Sequence, residues 1–432
     1  MTKQATASDL LGINARNSLY VSRNSRKAKA IARSKYATKI LLNDNNIPSA
    51  EIYGILGTDE DVNDFNWQKL EGDFVIKPTN GHAGTGVIAF RNKVNSQYWL
   101  DVLGEKWDED DIKLHCRNIL AGQYSIHGTN HNVIIEERIP IHPKLLKYSY
   151  KGTPDIRVIV FNSVPVMAML RLPTEESAGR ANVTQGAIAV GIDIASGITT
   201  HAVAHKKQNI QYLPGTKKKL NGITIPNWYK ALLTAVQASE VADLAFSGID
   251  IFLHKTKGPM VVELNATPGL SIQAANRAGM RRRLERVEGL NVINPEHGVK
   301  IAQALFASDF SNRVKIKNEI TKINLREEII LYGEKKQGIS TSAFINTGRL
   351  HSAIARDLAG ELGLLDLEDL LWFQKEKEEG SLPVVEVKFK LKGHIVKTTM
   401  LVSKKLNHRQ HKLELGRQDL DGFLIDPNSQ NA

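Results

Sequence analysis

Hydrophobic residues fall into two patterns along the chain. Over residues 23–45 the apolar positions Ala28, Ile31, Ala32, Tyr36, Ile40 and Leu41 recur at three- and four-residue steps. That spacing predicts a helix ending in Asn-Asp-Asn-Asn before Ile47-Pro48. Further on, apolar runs of strand length, rich in β-branched residues, lie at 74–76, 87–90, 133–135, 156–161, 166–170, 187–190, 249–253 and 261–264, with turn residues between them. Helices are predicted over 228–244 and 273–287, and from about 350 to 362. Residues 385–391 alternate strictly between apolar and polar, which marks a half-buried strand in a β-rich C-terminal domain. No repeat of solenoid length is present. The fold class expected is mixed α/β (α+β), in three parts: a basic helical segment over 1–45, a core over 46–312 and a small β-rich domain over 325–432.

Composition narrows this picture. A chain of 432 residues favours two domains over one very large core, and 42% hydrophobic with 24% charged residues excludes disorder over most of the length. No apolar run reaches the roughly 18–20 residues that span a bilayer, and Met1 to Asn14 lacks the basic flank and apolar centre of a secretory signal. No membrane insertion and a cytoplasmic location are therefore expected. The single Cys116 rules out an internal disulfide. The net charge of +11 is local: residues 1–40 hold nine basic side chains against one acidic, whereas 41–312 hold 28 of each. Arg23, Arg26, Lys27, Lys29, Arg33, Lys35 and Lys39 form a stripe with little aromatic interleaving and no groove-reading motif. Nucleic acid accordingly ranks below a solvated helix face or an anionic-ligand surface. Nothing in the pattern excludes an oligomer.

Three separated features carry candidate chemistry. Phe74-Val75-Ile76-Lys77-Pro78 is a strand ending in a lysine, followed by Gly81, Gly84 and Gly86. Glycines let backbone N–H groups approach phosphate oxygens and the lysine supplies a point charge, although the same turn also suits an ordinary hairpin. It matches neither the P-loop nor the dinucleotide fingerprint. The segments 248–253 and 261–265 read as neighbouring strands joined by a turn around Lys255 to Gly258. Glu263 and Asn265 share one face at period two and, with Asp250, make a hard-oxygen set suited to Mg²⁺ and substrate phosphates, or else a solvent-facing strand pair. Finally, the apolar strand Val133-Ile134-Ile135 stops in Glu136-Glu137-Arg138-Ile139. Such a strand end can offer backbone groups to an adenine edge and a carboxylate to ribose hydroxyls.

In this order and spacing the residues resemble the ATP-grasp superfamily of carboxylate–amine ligases. Leu11-Gly12-Ile13-Asn14-Ala15-Arg16-Asn17, Pro154-Asp155-Ile156-Arg157, Met169-Leu170-Arg171-Leu172-Pro173-Thr174 and Gln185-Gly186-Ala187 resemble its alpha-L-glutamate-ligase-like branch, similar to ligases that add glutamate to ribosomal protein tails. The resemblance implies that Lys77, with Lys35 or Lys39 as the second basic residue, binds ATP phosphates beneath a flap of Gly81, Gly84 and Gly86. It makes Glu136, Glu137, Arg138 and Ile139 the adenine hinge. It assigns Asp250, Glu263 and Asn265 to two Mg²⁺ ions, Arg157 and Arg171 to the acyl-phosphate or the acceptor carboxylate, and Asn182 to a contact near the substrate. The implied partners are an amino-acid donor and a peptide or small amine acceptor. A carboxylate is a poor electrophile, so ATP phosphorylates it and an amine then displaces the phosphate. Such a transfer needs positioning and charge neutralisation, hence lysine, arginine and Mg²⁺.

In the tail, Thr341 to Ser352 and Leu415-Gly416-Arg417-Gln418-Asp419-Leu420 with Ile425-Asp426-Pro427 resemble the retropepsin-like domain often described as an ATP-dependent zinc protease. That fold uses Asp-Thr-Gly and paired carboxylates sharing a proton; here the position is Asn346. An amide cannot exchange that proton, so the tail is expected to dock a peptide or the acceptor rather than hydrolyse it. His351, His394, His408 and His411 fit no closed zinc spacing. A non-catalytic nucleotide-binding protein that recruits peptides is the alternative reading.

Overall fold

The computed structural model describes residues 9–70, 72–79, 84–95, 97–124, 132–204, 208–306, 321–333, 338–376, 379–420 and 423–426. After the short helix α1 (Ile13–Ala15), the basic segment folds as two helices where the periodicity predicts one: α2 (Arg26–Arg33) and α3 (Lys35–Asp44). Ser34 is the cause. Its extended backbone closes α2, and its side chain accepts the Ala37 amide to cap α3. The predicted stripe is also rotated on α3: Tyr36 and Ile40 stay 41% exposed, while Thr38, Lys39 and Leu42 are buried.

A first antiparallel sheet comprises β1 (Ile52–Leu56), β2 (Phe74–Pro78), β3 (Ile88–Lys93), β4 (Trp99–Asp101), β5 (Lys106–Trp107) and β6 (Val133–Glu137), in the order β1-β6-β2-β3-β4-β5. Helices α4 (Asp59–Asp64) and α5 (Glu109–Leu120) cover it, each opened by a capping box, Thr58 with Asp61 and Asp108 with Asp111. Ile112, Cys116 and Ile119 of α5 pack with Trp67, Phe74, Phe90 and Trp99. Burial pushes the Cys116 thiol up to about 12, so it behaves as a small apolar group.

After α6 (Pro143–Leu146) comes the larger sheet: β7 (Asp155–Phe161), β8 (Val164–Leu172), β9 (Ile188–Ile192), β10 (Thr199–Val203), β11 (Asn209–Ile210), β12 (Phe246–His254) and β13 (Gly258–Asn265). Its order is β11-β10-β9-β8-β7-β12-β13, with every neighbouring pair antiparallel. β8 is buried along its whole length, as its nearly unbroken apolar sequence requires. Helix α7 (Trp228–Val241) packs on β12 and β13. The helix predicted over 273–287 is interrupted, giving α8 (Ile272–Asn276) and α9 (Met280–Val287). Arg277 takes a left-handed conformation, and Gly279 lies so close to Asp9 that a Cβ there would sit 2.1 Å from the Asp9 carbonyl oxygen.

Contacts divide the chain into two compact units, residues 1–288 and 289–432. The second holds α10 (Pro295–Leu305), the parallel pair β14 (Thr321–Asn324) and β22 (Phe423–Asp426), and a mixed sheet. That sheet contains β15 (Arg326–Tyr332), β16 (Ile339–Ile345), β17 (Ser352–Ala355), β18 (Leu370–Glu376), β19 (Gly380–Leu391), β20 (His394–Ser403) and β21 (Leu413–Leu415). Its order is β15-β16-β21-β17-β20-β19-β18, and a further β15–β19 pairing curls it on itself. The alternating run is part of β19, with Val385, Val387, Phe389 and Leu391 buried. The predicted helix from residue 350 is corrected: Ser352 to Ala355 form a buried strand paired on both sides, and helix covers only Arg356–Glu361. The sequence-expected domain boundary falls mainly on residues 307–320, outside the described residues. Among the described residues no helix is long and apolar enough to cross a membrane.

Candidate active site

The β12–β13 hairpin, turned at Gly258 with φ of 90°, sets the register of the polar row. Asp250 lies opposite Glu263 on one side and opposite Arg157 of β7 on the other, and Asp155 lies opposite Arg171 of β8. Charged residues predicted from separate segments therefore meet on one sheet face. Arg157 grips Asp250 with two bonds, Nε to Oδ1 at 2.7 Å and Nη2 to Oδ2 at 2.6 Å. Arg171 gives Nη2 to Asp250 Oδ2 at 2.8 Å, and both Nε, at 2.6 Å, and Nη2 to Asp155. Burial works against the Asp250 charge, but the two arginines outweigh it and hold the carboxyl below its ordinary value. Burial lifts Asp155 to about 6 against the pull of Arg171.

A second polar group forms where the smaller sheet meets α3. Lys77 at the end of β2 bonds Glu136 Oε1 at 2.5 Å, and Lys39 Nζ lies 3.1 Å from Glu136 Oε2. All three side chains are nearly fully buried. Lys39 also donates to the Ala50 carbonyl at 3.1 Å. One turn earlier on the same helix face, Lys35 Nζ is 3.8 Å from Glu263 Oε1. Both candidates for the second lysine thus reach the site, Lys39 on the Glu136 side and Lys35 on the Glu263 side. Burial lowers Lys39 to about 8 and also lowers Lys35, each opposed by its carboxylate partner. Burial would raise Glu136, yet Lys77 and Lys39 prevail and keep it below the usual carboxylate range.

The other predicted residues divide by position. Glu136 points its side chain at the two lysines. Glu137 faces Lys257 at 3.2 Å, and Arg138 bonds Asp73 at 2.6 Å. The N–H groups of Glu137 and Arg138 go to the carbonyls of Glu51 and Asp73, whereas no described residue bonds the backbone of the buried Ile139, which packs against Ala50 and Met260. Gly84 and Gly86 both have positive φ; Gly84 lies under the Arg180 side chain, and Gly86 packs on Tyr124 with its carbonyl 3.1 Å from His115 Nε2. Gly81 is outside the described residues. Asn182 caps the turn before Gln185, its Oδ1 accepting from Thr184 N at 3.1 Å, and reaches neither cluster in the described contacts. Asp155 was not singled out by sequence reasoning, although a lone acid two residues before Arg157 in an apolar strand places both on one face.

The donor set fits magnesium held together with phosphates. Asp250 Oδ1 takes one donor, the Glu263 side chain is 39% exposed, and Asn265 turns its Nδ2 toward Asp250 Oδ2 at 3.4 Å, which leaves its own oxygen directed elsewhere. Two carboxylates and an amide oxygen suit an ion that completes its shell with phosphate and water. Among the described residues no three His, Cys, Asp or Glu side chains form a complete cage.

In the second unit, Asn346 donates Nδ2 to Glu414 Oε2 at 3.1 Å and accepts from the Gly348 amide at 3.1 Å. Glu414 is buried and also takes Arg349 at 3.2 Å and Arg409 at 2.9 Å. His351 meets Gln418, His394 meets Thr321 and His411 stacks on Phe344.

Comparison with known proteins identifies the family. No curated protein matches the chain. Among solved structures, the ATP-grasp ligase PsnB complexed with a minimal precursor is 17% identical, with 61% of each chain covered and a TM-score of 0.33. The D-alanine–D-alanine ligase of Bacillus anthracis complexed with ATP is 14% identical, covering 65% of this chain and 68% of that one at a TM-score of 0.35. The enzyme of the same name from Coxiella burnetii is 13% identical, covering 68% and 62% at a TM-score of 0.32. The chain spans about three fifths of the length of the PsnB structure. The sequence profile of the sugar-transfer associated ATP-grasp family matches residues 14–289, well over half of the chain, and the protein belongs to that family.

Proposed function

We propose that the first unit is an ATP- and Mg²⁺-dependent carboxylate–amine ligase, forming an amide through an acyl-phosphate with ADP and phosphate as products. The observation that carries this reading is the span of α3: one helix face brings Lys39 to Glu136 beside Lys77 and Lys35 to Glu263 in the metal row. A triphosphate needs cations on several oxygens at once, and three lysines supply them, Lys39 and Lys77 from a buried group and Lys35 from a half-buried one. Asp250, Glu263 and Asn265 would hold the magnesium, two ions in the form the resemblance implies. Bound magnesium would neutralise phosphate oxygens and orient the terminal phosphoryl group. Arg157 and Arg171 keep Asp250 ionised and fixed, and their remaining N–H groups can receive the carboxylate or acyl-phosphate. The Ile139 amide and carbonyl form the adenine hinge, and the Gly84 to Gly86 turn closes over the phosphates.

Glutamate is the first candidate amino acid, from the glutamate-ligase-like motifs, with a peptide or small amine as acceptor. We infer that the second unit is a retropepsin-like domain that docks the acceptor and does not hydrolyse it. Asn346 cannot share a proton, and Glu414 is committed to two arginines. A cavity of about 460 Å³ lined by Tyr332, Asp369, Glu386, Lys388 and Lys397 offers both charge signs to such a ligand.

The test is a panel of amino acids and amines in pairs, amino sugars included because of the family description, scored for ADP release and product mass. Stimulated ADP with a product one condensation heavier supports the ligase. Nucleotide binding with no stimulated turnover for any pair transfers the role to the alternative, a nucleotide-binding recruiter. Glu263→Gln should abolish coupling while leaving the fold intact.

A further inference from the structure

We propose that Asp155 is a positioning residue for the divalent cation, anchoring and neutralising Arg171 so that the charge cluster stays balanced and the Oδ1 side of Asp250 is not covered by a second arginine; this rests on the ligase reading above. Asp155 is 5% exposed and sits opposite Arg171 across β7 and β8. It takes the guanidinium by two bonds, from Nε at 2.6 Å and from Nη2. Arg171 meets Asp250 through Nη2 alone, reaching Oδ2 at 2.8 Å. The fork on Asp250 comes instead from Arg157. The result is a chain of four charges that sums to zero, with Asp155, Arg171 and Asp250 buried and Arg157 half-buried.

Charge bookkeeping gives Asp155 its role. Without its carboxylate, the cluster beside Glu263 and Asn265 carries one net positive charge where a divalent cation must sit, and buried charges are weakly screened. Arg171, released from its anchor, can also swing its full fork onto Asp250 and cover the Oδ1 side that now takes one donor. A residue that touches neither metal nor nucleotide then sets the affinity of the metal site. Partners of ligating carboxylates typically shift metal affinity by roughly 10- to 100-fold.

The experiment measures Mn²⁺ binding to the full-length protein in the presence of ADP, by the loss of the free-ion electron paramagnetic resonance signal, together with ADP binding without metal. Asp155→Asn leaves the cluster positive and should weaken Mn²⁺ roughly 10- to 100-fold, with metal-free ADP affinity no weaker than wild type. Arg171→Met leaves it negative and should bind Mn²⁺ at least as tightly as wild type. The double variant Asp155→Asn/Arg171→Met restores neutrality and should return toward wild type. If Asp155→Asn does not fold, the order of the remaining two against wild type still tests the proposal. A series that ignores net charge, in a wild type that binds Mn²⁺ with ADP, overturns the role of Asp155. A wild type that binds no Mn²⁺ with ADP overturns the ligase reading itself.

Discussion

Lys39 is a lysine 3% exposed beside a second buried ammonium, and its proton is easily lost. Its folded value of about 8 lies below the ordinary 10.5 because burial disfavours the charge more than Glu136 favours it. Between those two values the unfolded chain holds the proton more tightly, so this group's contribution to stability rises with pH across that window. Below pH 8 the chain carries the full cost of the buried charge, about 3 kcal/mol. Phosphate oxygens would favour the ammonium, so nucleotide affinity should be greatest below pH 8 and fall as pH rises through it. ADP dissociation constants measured on both sides of pH 8 check this; a flat wild-type curve would remove Lys39 from the phosphate site. Lys39→Arg, charged throughout, should flatten the break. At Asn346 the logic is one of donors. Asn346→Asp would replace the N–H that meets Glu414 with a second carboxylate, costing about 1–3 kcal/mol of stability at neutral pH and less in acid, where a protonated Asp can donate again. Urea midpoints at two pH values report it, and no peptidase activity should appear.

Elements carry the next predictions, and they show what a sequence can reveal. Gly191 of β9 faces α8 so closely that a Cβ would lie 2.4 Å from the Ala275 carbonyl oxygen and 2.9 Å from Thr200 Oγ1. The helix is tied in place by Gln273, which bonds the Leu11 backbone, and by Asn276, which bonds the Ala168 carbonyl. Gly191→Ala should therefore cost about 1–3 kcal/mol, measured as a lower denaturant midpoint, and a midpoint equal to wild type would show that α8 can yield. Cys116 of α5, with its thiol at about 12, should resist aqueous thiol reagents in the native protein and react once it is unfolded. The β12–β13 hairpin was legible because period-two alternation and turn residues are local signals, and they placed Glu263 and Asn265 on one face. The breaks at Ser34 and Arg277 were hidden because the apolar spacing continues past each of them. Strand β17 was concealed by helix-forming neighbours and is decided by its partners β20 and β21. The burial of Lys39 in place of Ile40, and the anchoring of Arg171 by Asp155, depend on residues 97 and 16 positions away, which no local window contains.

The whole molecule comprises two compact units, and each has a hydrophobic core of its own. Trp67, Phe74, Phe90 and Trp99 lie in the first, whereas Ile354, Val387, Phe389 and Leu401 lie in the second. The three lysines, the proposed adenine hinge and the carboxylates proposed to hold metal all belong to residues 1–288. A ligand bound only to the native form of one unit stabilises that unit by mass action, by about 2.7 kcal/mol at a hundred times its dissociation constant. Magnesium with ADP should therefore raise the opening free energy of slowly exchanging amides in β2, β6, β12 and β13 and leave those of β16, β17, β20 and β21 unchanged. Hydrogen exchange at saturating and zero ligand measures both sets in one sample. Equal protection of the two sets would mean that the units unfold as one cooperative body. Protection confined to the second set would place the nucleotide away from Lys77 and Glu263, and the assignment of the site would fall with it.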